Sequence, residues 1–236
     1  PAVSVTVDEN AQGTVKNVSS VSKDVDGDVL ISNGNDFDIN AGSRINISGK
    51  IGGSSTGNIK LQNDKVGETI AATGGSNVML KGPSTVKGTS NKPSVETGSG
   101  TIKIQHTTTI NTPSSKPCVK TGSGGKIIIN GKNKSNIVVI GGDVIGDQIN
   151  KIHDAQIGGN VTGTGNSSLQ TQRAKIGGNV STSGGNDITV GKSTVCGTIS
   201  SDGNVVIEND SEVKSISIKN DGKNVTINKS DVTGNI

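Results

Sequence analysis

A segment that returns in fixed register constrains a chain more than its composition does, because each copy must take one shape and stack on its neighbours. Here Thr73-Gly74-Gly75-Ser76-Asn77-Val78-Met79-Leu80 aligns with Thr97-Gly98-Ser99-Gly100-Thr101-Ile102-Lys103-Ile104, and again with Thr121-Gly122-Ser123-Gly124-Gly125-Lys126-Ile127-Ile128. The offset, about 24 residues each time, also carries Asn91-Lys92-Pro93-Ser94-Val95 onto Ser115-Lys116-Pro117-Cys118-Val119. Farther on, Ile157-Gly158-Gly159-Asn160-Val161 returns as Ile176-Gly177-Gly178-Asn179-Val180 and as Val195-Cys196-Gly197-Thr198-Ile199, with fainter copies at Val213 and Val232. There the period shortens to roughly 17–20 residues.

Between these motifs sit apolar-x-apolar pairs: Ile188/Val190, Val205/Ile207 and Val225/Ile227, and nearer the start Val29/Ile31, Phe37/Ile39, Ile45/Ile47 and Ile59/Leu61. Such a pair places two side chains on one face of a strand, and a corner rich in Gly or Asn turns the chain before the next pair. Repetition at constant period predicts an all-β fold: a single parallel β-helix (β-solenoid) of about 11 coils, with 17–24 residues per coil. Residues 1–236 read as one domain, with irregular coils over 1–72, coils of about 24 residues over 73–144, and coils of about 17–20 residues over 145–236. Corners are expected to carry Gly or Asn where the backbone needs positive φ.

Composition fits a narrow interior. Hydrophobic residues are 28% of the chain, with one Phe and no Tyr or Trp, so inward columns are expected to hold Val, Ile and Leu. The 23 basic and 20 acidic residues give a net charge of +3 and are mixed along the chain, so charge nominates no nucleic-acid partner. A single ring also cannot build the stacking platforms that single-stranded nucleic acid or sugar faces use. No stretch reaches the roughly 18 apolar residues of a spanning helix, so no membrane span is expected. The chain opens on Pro1, which fits either removal of a leader or trimming.

Few residues form a chemical constellation. Asp24, Asp26 and Asp28 space carboxylates as a calcium loop does, but Gly27 and Asn35 stand where such a loop needs other residues, so a polar turn is the reading and no metal site is assigned. His106 and His153 are the only histidines; the run His106-Thr107-Thr108-Thr109 is expected on an outer face and His153-Asp154 as a surface pair. No nucleophile motif accompanies them, so no catalytic residue and no cofactor is assigned. Cys118 and Cys196 lie about four coils apart, on the order of 19 Å, which excludes a disulfide. The sequons at Asn17, Asn46, Asn160, Asn179 and Asn224 follow from an Asn-, Ser- and Thr-rich composition.

The ends carry the functional reading. A solenoid leaves the strand edges of its terminal coils unpaired, and those edges template further pairing unless capped. The start, Ala2-Val3-Ser4-Val5-Thr6-Val7, is strand-like, and the last residues, Asp231-Val232-Thr233-Gly234-Asn235-Ile236, stop in mid-repeat. The expected polymer interface is Val3, Val5 and Val7 at one end and Val225, Ile227, Val232 and Ile236 at the other. The run Ile176–Ile236, with Ile176-Gly177-Gly178-Asn179-Val180, Val195-Cys196-Gly197-Thr198-Ile199 and Val232-Thr233-Gly234-Asn235-Ile236, resembles bactofilins, polymer-forming bacterial β-solenoids with V-x-G-x-I repeats. It covers about a third of the chain, while the central 24-residue repeats depart toward surface adhesin or haemagglutinin-like solenoids. The resemblance implies end-to-end polymerisation without nucleotide.

The leading expectation is therefore a structural protein that is not an enzyme, whose partner is itself through end-to-end stacking into filaments, a surface layer or an appendage. The alternative is an adhesin or passenger-type stalk that binds cell-surface or matrix components, and a carbohydrate-active β-helix enzyme is the third. An extracellular or cell-surface location is expected, with a cytoplasmic one, as in bactofilins, the alternative.

Overall fold

A computed structural model describes residues 6–7, 11–16, 18–32, 34–39, 44–53, 56–111, 117–165 and 167–236. Among them all regular structure is β-strand, in elements from two residues to the ten of Gln148–Ile157. The strands build a parallel β-solenoid of about 10 turns. Three sheets run the length of the rod, and each pairing joins one coil to the next. The first sheet stacks Phe37–Ile39, Ile59–Gln62, Val78–Lys81, Thr101–Gln105 and Lys126–Asn130. The second stacks Asn46–Ile47, Lys65–Val66, Thr85–Val86, Thr109–Ile110 and Val138–Ile140. The third stacks Ile51–Gly52, Ile70–Ala71, Val95–Thr97, Val119–Thr121 and Val144–Gly146.

Strand alternation sends every second side chain inward. Stacking then aligns Ile39, Leu61, Leu80, Ile104, Ile129, Ile152, Thr171, Val190 and Ile207 in one column of the first sheet. These residues are buried, and each apolar member contributes on the order of 1.5–3 kcal/mol by leaving water. Phe37, the sole ring, is fully buried in the neighbouring column, in register with Ile59 of the next coil.

The 24-residue period does not reflect a wider coil. Val78 pairs with Ile102, Val86 with Ile110 and Val95 with Val119, so the three strands keep the register of the short coils. The extra residues leave at corners: Thr89 bridges Lys92 antiparallel in one such loop, and Asn133 bridges Asn136 in another. Where these excursions are absent, ladder partners lie 17, 19 or 20 residues apart.

The Ile-Gly-Gly-Asn-Val motif has a packing cause. Each Asn side chain accepts the backbone N–H of the equivalent residue one coil on: Asn179 N donates to Asn160 Oδ1 at 2.8 Å, and Thr198 N to Asn179 Oδ1 at 2.8 Å. The ladder starts on a carboxylate, with Asn160 N and Nδ2 both donating to Asp143 Oδ1. A second ladder runs Asp36, Asn58, Asn77, Thr101 and a third Asp187, Asn204, Asn224. In this motif the second Gly is required because the Asp or Asn side chain of the coil below fills the space of a Cβ: one on Gly178 would sit 2.5 Å from Asn160 Oδ1, and one on Gly159 would meet Asp143 Oδ1.

The corner between the first and second sheets departs from expectation. Positive φ is found there at Asn63, Gly82 and Asn209, as composition implies, but also at His106, Asp154, Arg173, Lys192 and Lys229. A left-handed residue other than Gly costs on the order of 1–2 kcal/mol. The compensation is a spine of hydroxyls just after the bend. Ala174 N donates to Ser193 Oγ, Ser193 N to Ser211 Oγ and Ser211 N to Ser230 Oγ, while Ser84 Oγ accepts from Asn63 N. Each hydroxyl also donates to a carbonyl, as Ser211 does to Glu208 O.

Candidate functional site

The last coil differs from those beneath it. Strand Val225–Asn228 pairs with Val205–Glu208, and Asp231–Val232 with Glu212–Ile218, so each has a partner on one side only among the described residues. Val225 and Ile227 continue the inward columns of Val205 and Ile207, which are fully buried. Without a coil above, Ile227 is 39% and Ile236 69% exposed, the large apolar side chains left open to solvent among the described residues. Val225 and Val232 are partly buried against the core. The polar ladder is open too: Asn224 N donates to Asn204 Oδ1 at 3.1 Å, and the Asn224 amide occupies the place that receives an N–H at Asp187 and Asn204 in the two coils below. The surface therefore combines an apolar centre, a strand edge and an amide at the head of a ladder.

Of the expected interface residues, this end brings together Val225, Ile227, Val232 and Ile236. At the other end Val7 lies in a short strand, Thr6–Val7, paired with Ser20–Val21, whereas Val3 and Val5 fall outside the described residues.

Asp24, Asp26 and Asp28 are each engaged by the next coil. Asp24 accepts from Asn46 N and Nδ2, both at 2.9 Å, which holds its carboxyl below the usual range; the side-chain bond is the larger cause. Asp26 accepts from Ser48 Oγ, and Asp28 accepts from Lys50 N and pairs with Lys50 Nζ at 3.3 Å. Among the described residues no three His, Cys, Asp or Glu side chains are grouped so as to hold a metal ion.

Two expectations about histidine regions are corrected. Asp154 is not a surface residue: the left-handed bend turns it inward, to 2% exposure. There it receives a two-pronged guanidinium, Arg173 Nε to Oδ1 at 2.6 Å and Nη2 to Oδ2 at 2.8 Å. That hydrogen bonding lowers the Asp154 pKa and raises that of Arg173. Burial, then the charges of Lys151 and Arg173, lower the His153 pKa. Thr108 is likewise buried rather than on an outer face, its hydroxyl in reach of Gly82 O and Gln105 O.

Cys118 is buried and Cys196 exposed, and neither forms a disulfide. The amides of the sequon residues Asn46 and Asn160 are occupied by Asp24 and Asp143. Among the described residues no helix is long and apolar enough to cross a membrane. No family model, curated protein or solved structure matches this chain.

Proposed function

We propose that this chain is a non-enzymatic structural subunit that assembles end to end, a second copy stacking on its C-terminal coil. The observation that carries this reading is the exposed interior of that coil, with Ile227 open to solvent directly above the fully buried Ile207. An added coil would bury Ile227 and Val225, pair the edge of Val225–Asn228, and supply the N–H that the Asn224 amide lacks. Apolar burial then drives association, and the strand edge and amide ladder fix its register. Several exterior carboxylates serve the stacking of coils, as at Asp24, Asp36, Asp143 and Asp187, which supports the scaffold reading. The bactofilin-like reading belongs to this proposal.

Sedimentation velocity over a concentration series tests it, on the wild-type chain and on Ile227→Lys, which places a charge on the stacking surface without touching a buried residue. Association that grows with concentration and falls at least tenfold in the variant supports the proposal. A monomer at every concentration, or equal association of both proteins, overturns it.

A further inference from the structure

A groove of about 530 Å³ runs along the corner between the first and second sheets, beside the left-handed column. The loop that carries Asn133 and Asn136 forms its lower wall and contributes Lys134. Its floor is Ala155 and Ala174, both buried, in the corner position that Ser193 and Ser211 fill in later coils. Arg173, Lys175 and Lys192 line the sides, and Asp210 closes the far end. Spread over about four coils, the groove is roughly 15–20 Å long.

Three features make it more than a rough surface. Arg173 is fixed by the buried Asp154 through its Nε and Nη2, so the rest of its guanidinium fork is held in place before any ligand arrives. The lysines are not consumed: among the described residues the ion pairs of the chain involve Lys50, Lys60, Arg173 and Lys219, not Lys134, Lys175 or Lys192. The floor is apolar and small, which admits the C–H face of a flat chain while cations flank its edges.

We propose that this groove binds a linear acidic polysaccharide, its carboxylate or sulfate groups met by Lys134, Arg173, Lys175 and Lys192. A nucleic acid fits less well. The chain has no Tyr or Trp and its one Phe is buried, so neither bases nor sugar rings find an aromatic platform; the C–H face of a sugar can rest on Ala155 and Ala174 instead, whereas the bases of a single strand lose the stacking that carries much of their affinity. The groove ends one coil below the C-terminal coil, where Asp210 N donates to Lys229 O, but Lys134, Arg173, Lys175 and Lys192 belong to lower coils, so this binding does not use the stacking surface.

The test is fluorescence polarisation at low salt with an end-labelled oligogalacturonate, a sulfated oligosaccharide and a single-stranded oligonucleotide of similar length. Two triple variants are compared, Lys134→Glu/Lys175→Glu/Lys192→Glu in the groove and Lys65→Glu/Lys87→Glu/Lys120→Glu elsewhere; all six lysines are exposed, and both variants change net charge equally. Binding of either glycan that weakens roughly 30-fold in the groove variant and less than threefold in the control supports the proposal, and the tighter of the two glycans identifies carboxylate or sulfate. Equal losses in both variants, no glycan binding by the wild type, or tighter binding of the oligonucleotide would overturn it. Circular dichroism of each variant verifies the fold.

Discussion

Asp64 occupies the hydroxyl spine with a carboxylate, and replacing it should alter the pH dependence of stability. The side chain is fully buried, its Oδ1 accepting from Ile45 N at 3.2 Å and its Oδ2 from Gln62 N at 2.8 Å. Burial raises its pKa from 3.8 to about 6, against the opposing pull of those two N–H groups and of Arg44; the nearby Asp38 adds to the rise. The folded chain thus holds this proton more tightly than the unfolded one. The penalty for ionising it is absent below pH 3.8, grows between 3.8 and about 6, and is complete above. At about 1.36 kcal/mol per unit the shift amounts to roughly 3 kcal/mol, which solvent screening at a corner trims to about 1–3 kcal/mol. Asp64→Ser installs the hydroxyl used by Ser84, Ser193 and Ser211. It forfeits one acceptor at every pH, so the informative quantity is the difference between variant and wild type, followed by urea unfolding. That difference should move in favour of the variant by about 1–3 kcal/mol between pH 3.5 and pH 7.5. A difference that stays constant with pH would refute the reasoning.

The Asn ladder gives a graded expectation: Asn179→Ala, which deprives Thr198 N–H of its acceptor, should cost about 1 kcal/mol in the same unfolding assay, and Asn224→Ala, with no coil above it, less than about 0.5 kcal/mol. Gly178→Ala drives a Cβ to 2.5 Å from Asn160 Oδ1 and should cost about 1–3 kcal/mol, read as a lower urea midpoint. Native protein treated with a thiol reagent should label once, at the exposed Cys196, and twice only after unfolding exposes the buried Cys118.

The repeat register made the solenoid legible because inward Val, Ile and Leu must recur at one period to stack. The Ile-Gly-Gly-Asn-Val motif likewise announced a tight coil. Its meaning was not legible, since the glycines serve the amide below them rather than a positive φ, a relation between coils that no local reading contains. The left-handed corner was hidden for a related reason. Local propensity assigns such bends to Gly or Asn, whereas at Arg173, Lys192 and Lys229 the serine spine of the neighbouring coils pays the conformational cost. Once that bend is missed, alternation places Asp154 outside, although it lies inside against Arg173. The corner groove was illegible because Lys134, Arg173, Lys175 and Lys192 are scattered in sequence and meet only through stacking. The exposure of Ile227 and Ile236 follows from their place in the last coil, which the repeat already indicated; that they form an interface is our proposal.

The central claim, that the open C-terminal coil is an assembly surface, is tested most directly by negative-stain electron microscopy of wild type and Ile227→Lys over a concentration series. A single chain of about 10 turns makes a rod of roughly 50 Å. The account predicts wild-type rods that lengthen in multiples of this unit as concentration rises, while the variant stays at one unit. Wild-type rods of one unit throughout, or filaments of equal length in both proteins, would contradict it.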